Sequence, residues 1–334
     1  MELMMPTVRT YGLCLSAGLL AALPWLAARC RDLKKNTALW LSLTALPLAF
    51  LLSRLAQCAV SQGWYLFRQD FFFNFRRGGY MLYGAMAGAV LAARITARLT
   101  RQDTGRLLDA LAVPGMLLIS VCRFAEGLIG VGYGRDMADW FDPWNEYVFF
   151  PMEDPEPLMR FPFGIPDYYG VYRFSVFLLE GLAAAVFLVI LCRKKAAAPG
   201  GLFLLALILY AGAQTTLESL RDDSLPRWGF VRVNQILSGA ALVTAMALST
   251  ARLLKRGEPG AGKAAALRWA GLLACMGVIL AMEFAVEGKI HFLLWMRMDL
   301  CYFVMGLSSL GLILFSASLW KKAWQNETAP AEVR

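Results

Sequence analysis

Charge is scarce in this chain. Of its 334 residues, 17% are Asp, Glu, Lys or Arg and 58% are hydrophobic. A soluble globular chain carries about 25% charged residues, so the shortage excludes an ordinary solvated surface around a soluble core. Histidine is scarcer still: His291 is the only one, which excludes any site built from several imidazoles. A single histidine in an outer turn is more often incidental than catalytic. The 7 cysteines contain no C-x-x-C pair. Cys14, Cys122 and Cys275 lie in or beside apolar runs, and Cys30, Cys58, Cys192 and Cys301 lie near the ends of such runs. Buried cysteine there acts as a small apolar residue, and neither a disulfide framework nor a metal site is expected. There is no Walker loop and no zinc motif, so no cofactor and no metal are expected.

What the chain has in abundance is long hydrophobic runs. A helix needs about 20 apolar residues to cross ~30 Å of hydrocarbon. Nine runs qualify: Tyr11–Ala28, Leu39–Val60, Tyr80–Ile95, Leu107–Val121, Phe174–Leu191, Gly201–Leu217, Val233–Leu253, Ala265–Val286 and Cys301–Trp320, the third and fourth being short. The fold class is therefore all-α, a polytopic membrane bundle of about nine spans. Alternate loops carry the basic residues: Arg29, Arg31, Lys34 and Lys35; Arg98, Arg101 and Arg106; Arg193, Lys194 and Lys195; Lys255, Arg256 and Lys263; Lys321 and Lys322. The positive-inside rule places these loops in the cytoplasm, with the N-terminus outside and the C-terminus inside. The net charge of +9 is then topological. No basic patch interleaved with aromatics suggests nucleic acid as a partner. Only Arg9 precedes the first run and a stronger basic cluster follows it, a pattern that anchors the segment instead of marking it for cleavage.

The chain reads as one membrane domain without internal repeats. Gly257-Glu258-Pro259-Gly260-Ala261-Gly262 is the most linker-like stretch. It divides a seven-span core, residues 1–256, from a C-terminal hairpin and tail, 257–334. The outer loop 135–173 is rich in aromatics and acids, among them Trp140, Trp144, Tyr147, Phe149, Phe150, Tyr168 and Tyr169. Aromatics gather at the headgroup layer, and Phe71, Phe72, Phe73 and Phe75 fit the same role before the third span.

Two polar clusters interrupt this apolar chain. Arg123 and Glu126 close the run Leu107–Val121 at i, i+3 spacing. Tyr210, Gln214 and Glu218 follow at i, i+4 spacing in the next-but-one span, and Arg221 lies i+3 from Glu218. Such spacings put side chains on one helix face. An ionised group at the centre of a spanning helix costs roughly 2.5–3.5 kcal/mol and usually lines a polar cavity or pathway. The plainer alternative is that both clusters are helix ends surfacing into water. Four glycines, Gly127, Gly130, Gly132 and Gly134, follow Arg123 closely. Irregular backbone at membrane depth is tolerated only against protein or a wet cavity, which favours a site. Gly84-Ala85-Met86-Ala87-Gly88 is a G-x-x-x-G and reads first as close helix packing.

Taken in order, these blocks resemble the prolipoprotein diacylglyceryl transferase family, bacterial membrane enzymes that lipidate the cysteine of lipoprotein precursors. Arg76-Arg77-Gly78-Gly79-Tyr80-Met81-Leu82-Tyr83-Gly84 resembles the family's arginine–glycine–glycine segment. Asp109, Pro114 and the stretch Arg123 to Gly134 resemble its signature, and Glu180-Gly181 resembles the glutamate-glycine of its next span. Tyr210 to Arg221 is similar to its tyrosine, glutamate and arginine, and Gln235-Ile236-Leu237-Ser238 to the start of its last helix. The resemblance covers roughly residues 70–250. The chain departs from the pattern at four places. Tyr83 stands where the family has an essential histidine, Glu126 where it has asparagine, Val131 where it has an acid, and Gln214 where it has a second essential arginine. The last two spans have no counterpart.

The resemblance implies transfer of diacylglyceryl from phosphatidylglycerol to a precursor cysteine, in the bacterial cytoplasmic (inner) membrane. The implied partners are phosphatidylglycerol, the signal peptide of a lipoprotein precursor and membrane lipids. Arg123 then suits the phosphate, since a guanidinium pairs bidentately and stays charged when desolvated. Gly134, Tyr210, Gln214 and Arg221 complete the expected lipid site. The implied catalytic residues are Arg123, Tyr83, Glu126 and Glu218. A phenol is a poor base, so Glu126 and Glu218 are the groups expected to replace the histidine. Two other readings stay open: a divergent homologue that binds lipid without catalysis or serves another acceptor, and an unrelated transporter or receptor.

Overall fold

The computed structural model describes residues 4–60, 79–137, 161–167, 170–194, 198–222, 227–228, 231–257, 259–289 and 296–325. His291, Phe71 to Phe75, Arg76 to Gly78 and the loop aromatics Trp140 to Phe150, Tyr168 and Tyr169 lie outside the described residues.

The described residues form nine α-helices: α1 Met4–Arg29, α2 Thr37–Val60, α3 Leu82–Thr100, α4 Thr104–Glu126, α5 Val176–Arg193, α6 Gly201–Leu220, α7 Val233–Lys255, α8 Ala261–Val286 and α9 Met298–Trp320. Eight are long and apolar enough to cross a membrane. The remaining one, α3, is a 19-residue helix whose apolar stretch is shortened by Arg94 and Arg98. Most helices outrun the apolar runs by a turn or so, because amphipathic ends continue the helix into the interface while the apolar segment stops. The chain is a multi-pass membrane protein.

Among the described residues two small antiparallel strand pairs interrupt the helical architecture. Strand β1, Gly164–Pro166, pairs with β2, Tyr172–Phe174; β3, Arg227–Trp228, pairs with β4, Val231–Arg232. Their sequences carry no extended alternating pattern, so composition alone does not announce them. An isolated bridge joins Gly134 to Arg221, and this bridge ties the segment after α4 to the end of α6.

Helix α6 lies at the centre, packed by α4, α5, α7 and α9. Of its most apolar window 78% is buried in protein, against 17% for α1. A helix packed by protein on every side is a core helix; lipid covers its neighbours instead. The G-x-x-x-G seats α3 on α2: a Cβ at Gly84 would lie 2.5 Å from the Leu52 carbonyl, and one at Gly88 2.5 Å from that of Leu48. Such contacts are open only to glycine.

One end of the bundle gathers the basic loops. There the Asp109 carboxylate accepts from the amides of Gly200 at 2.7 Å and Phe203 at 2.9 Å. It thus satisfies the unpaired first-turn N–H groups of α6 and complements its dipole. Helices α8 and α9 pack on each other, and α9 runs along α6 and α7. Trp320 Nε1 donates to the Gly201 carbonyl at 2.6 Å, and Trp324 is stacked by Arg252 at 4.5 Å.

Candidate active site

The opposite end of the bundle buries a cluster of charged and polar side chains. Arg123, Glu180, Gln214, Glu218 and Arg221 are 8, 2, 1, 0 and 2% exposed. Chain direction explains the convergence: α4 and α6 finish at this end, and α3, α5 and α7 begin here. Five helices can therefore each contribute one turn to a single site.

Glu180, one turn into α5, is the hub. Its Oε2 lies 2.8 Å from Arg221 Nη1 and 3.4 Å from Arg123 Nη1, and its Oε1 accepts from Gln214 Nε2 at 2.8 Å. Glu126 bridges the same two cations, with Oε1 2.8 Å from Arg123 Nη1 and Oε2 3.0 Å from Arg221 Nη1. Arg123 Nη2 donates to the Tyr210 hydroxyl at 2.8 Å. Buried charges need partners, and here two guanidiniums and two carboxylates neutralise each other in a closed ring. Glu218 is held differently. Its oxygens accept from two amides, Gln214 Nε2 at 2.7 Å and Asn234 Nδ2 at 3.0 Å.

Tyr83 enters from α3. Its ring stands 6.3 Å from that of Tyr210, and its hydroxyl shares a 2.5 Å hydrogen bond with Ser238 Oγ on α7. Ser238 in turn donates to the Asn234 carbonyl at 2.7 Å.

The glycine-rich turn after α4 is shaped by its neighbours. Helix α4 ends at Glu126 and a single 3-10 turn, Gly127–Ile129, follows. Gly132 has φ +79°, and a Cβ there would lie 2.9 Å from Phe177 Cβ and 3.0 Å from Glu126 Oε2. Only glycine lets the backbone pass so close to that carboxylate. Gly134 then donates to the Phe174 carbonyl at 2.7 Å, and the Asp222 amide donates to the Tyr133 carbonyl at 2.8 Å. Gly134 thus fixes the backbone of Arg221 and carries no ligand-binding side chain. Just outside the helices, Asp167 accepts from Arg173 Nε at 2.8 Å and raises its guanidinium above the ordinary value. Burial raises the Tyr133 phenol.

Every candidate named from the sequence falls in or against this network. Sequence reasoning left out Glu180 as a site residue, although it is the lone charge of an apolar run, and intramembrane charges are functional candidates by default. Asn234 and Arg232 were also missed; at a helix start they look like surface residues. Arg232 is buried and its Nη2 donates to the Arg221 carbonyl. Tyr11 on α1 hydrogen-bonds Cys122, beside Arg123. An aromatic at the start of a span ordinarily reads as an interfacial anchor.

The fold and the site together define a multi-pass membrane protein with a buried, cation-bearing polar centre at one end of its bundle. Comparison with known proteins narrows the class. Residues 1–251 match the family model described as prolipoprotein diacylglyceryl transferase. A phosphatidylglycerol–prolipoprotein diacylglyceryl transferase of Bacillus cytotoxicus is 30% identical over 247 residues, 70% of this chain and 83% of the relative. The enzyme of the same name from Bacillus licheniformis is 30% identical over 259 residues, 75% of this chain and 90% of the relative. The chain belongs to the prolipoprotein diacylglyceryl transferase family, a family of membrane transferases. Helices α8 and α9 lie beyond the matched residues.

Proposed function

We propose that the chain transfers diacylglyceryl from phosphatidylglycerol to the cysteine thiol of a lipoprotein precursor. The observation that carries this reading is the pair of buried guanidiniums, Arg123 and Arg221, joined by Glu180 and Glu126 at one end of the bundle. An anionic phosphate held inside a membrane protein needs desolvated cations of fixed geometry. Arginine presents five N–H donors, so Arg123 retains donors for phosphate oxygens beside its bonds to Glu126 and Tyr210. In the reaction the thiolate sulfur attacks the glycerol carbon that carries the phosphate ester. The S–C bond forms, the C–O bond breaks, and glycerol phosphate leaves with the electron pair, its charge stabilised by Arg123 and Arg221. The thiol proton goes to a carboxylate. Glu218 suits that role best, because its oxygens rest on amides whereas Glu126 and Glu180 are committed to arginines. Glu126, Tyr210 and Gln214 hold the cations and Glu218 in register.

The basic loops support an N-outside, C-inside orientation, which puts the site at the outer leaflet of the bacterial cytoplasmic membrane, where a signal peptide presents its cysteine. Within this reading residues 1–256 are the transferase core and 257–334 the additional hairpin and tail.

A second reading rests on Tyr83. In place of the histidine that the family resemblance implies, this chain has a phenol bonded to Ser238, a pairing that suits a lipid-binding homologue without transfer, or a transferase for another acceptor. Complementation of a cell depleted of its own transferase separates the readings, with Arg123→Ala as the paired variant. The expected result is growth with the wild-type chain and none with Arg123→Ala, which loses phosphatidylglycerol affinity by about 2–5 kcal/mol while still inserting. Wild-type protein that binds phosphatidylglycerol but neither complements nor lipidates a precursor peptide supports the second reading. Arg123→Ala with unchanged lipid affinity refutes both.

A further inference from the structure

Helices α8 and α9 lie outside the residues shared with the family, yet they are bonded to the site helix. Helix α6 shows two polar faces. Tyr210, Gln214 and Glu218 face the site. The reverse face meets the hairpin: Ser309 Oγ lies 2.9 Å from Thr215 Oγ1 and 2.6 Å from Thr216 Oγ1, and Thr216 Oγ1 also reaches the Met305 carbonyl at 3.1 Å. Tyr302 donates to the Ser219 carbonyl at 3.3 Å.

Glu283, one turn from the end of α8, is the charged member of this contact and is 6% exposed. Its Oε1 accepts from Gln235 Nε2, and Ser219 hydrogen-bonds the same carboxylate. Gln235 then works in three directions. Its Nε2 also donates to the Thr215 carbonyl at 3.0 Å, and its Oε1 accepts from the Arg232 amide at 3.0 Å, closing the first turn of α7. Arg232 holds the Arg221 carbonyl, and Asn234, between them, holds Glu218 at 3.0 Å. Farther along the same helix end, Glu287 Oε1 lies 3.3 Å from Arg135 Nη2, one residue past Gly134. The hairpin therefore touches the end of α6 and the start of α7, which carry Arg221, Glu218 and Asn234, and the segment just past Gly134.

From this arrangement we infer that Glu283 is a positioning residue: through Gln235 and Ser219 it fixes the ends of α6 and α7 and so sets the aim of Arg221 and Glu218. The inference deepens the transferase reading and rests on it for the kinetic consequence alone. A buried carboxylate accepting from two neutral donors on two different helices defines their relative register. Small misplacements of reacting groups are expensive in rate, with ~1 Å able to cost about 10²-fold.

The test uses the full chain purified in detergent, with Glu283→Ala, Glu283→Gln and, as control, Trp320→Phe, which cuts a bond from the same hairpin at the far end of α6. Initial rates are measured against phosphatidylglycerol concentration with a precursor peptide and normalised to folded protein. Hydrogen exchange of residues 214–221 is followed on the same samples. Glu283→Ala should lower kcat about tenfold while KM changes less than about twofold, and should speed exchange in 214–221. Glu283→Gln keeps an acceptor oxygen and should restore both. Trp320→Phe should lower the melting temperature and leave kcat and the exchange of 214–221 unchanged. Wild-type kcat and protection in Glu283→Ala overturn the inference, as does a glutamine variant as impaired as the alanine one. If wild type transfers nothing, the transferase reading fails by itself. Exchange then decides: faster exchange in Glu283→Ala alone upholds positioning, and unchanged exchange overturns it.

Discussion

At one end of the bundle Arg29, Arg98, Arg193, Lys255 and Lys321 all face outward; at the other, Arg123 and Arg221 are buried among Glu126, Glu180 and Glu218. The same residue types do different work at the two ends. Exposed cations at helix ends keep their hydration, so their cost is small and their collective count sets orientation. Buried cations have lost hydration and must recover it from fixed partners. Replacing a buried pair by apolar residues is often tolerated, whereas removing one partner leaves a charge stranded. The two ends therefore differ most sharply in what a single substitution does.

Glu180→Ala should have the largest effect. Glu180 serves Arg123, Arg221 and Gln214 at once, so its loss leaves two buried guanidiniums sharing Glu126 and one positive charge uncompensated. The expected destabilisation is about 3–5 kcal/mol, measured by denaturant or thermal unfolding in detergent, with lipid affinity lost as well. A loss as small as that of a surface pair, ~0–1 kcal/mol, would remove the distinction between the ends.

Within the buried end the carboxylates are not equivalent, and Glu218→Gln sharpens that point. The amide is isosteric but cannot take a proton. Turnover should fall about 10²–10⁴-fold if Glu218 is the base, with folding intact. Tyr83→Phe removes only the bond to Ser238 and should cost turnover far less. Equal losses in the two variants, in an assay of transfer to a precursor peptide, would return the proton to Tyr83.

Much of this was legible in the sequence because the bilayer is a severe solvent. Runs of apolar residues fix helices by length, and the positions of Arg123, Glu126, Gln214, Glu218 and Arg221 at i, i+3 and i, i+4 spacing fix faces. What spacing within one helix does not reveal is which helices meet. Arg221 lies i+3 from Glu218 in the sequence, and its ion pairs run across the bundle to Glu180 and Glu126. Gly134, in the expected lipid site by its signature position, also forms the backbone bridge to Arg221, which spacing does not show. The bonds of Glu283 to Gln235 and of Ser309 to Thr215 and Thr216 join residues far apart in the chain. No local pattern could announce those contacts between the hairpin and α6.

The smallest effect belongs to the basic end. Arg98 is exposed in the last turn of α3, where a cation favours the helix dipole by roughly 0.3–1 kcal/mol at most and less in salt. Arg98→Ala should change unfolding free energy by no more than about 0.5 kcal/mol and leave turnover untouched. Its positive charge is one of many counted in alternate loops, so orientation should survive its loss. A reporter fused after Lys322 should read the cytoplasmic side in both wild type and Arg98→Ala. Outward reporting in wild type would invert the bundle and put the buried network at the inner leaflet, where no exported cysteine is presented. Inversion by Arg98→Ala alone would show that one exposed cation decides what the comparison assigns to the whole set.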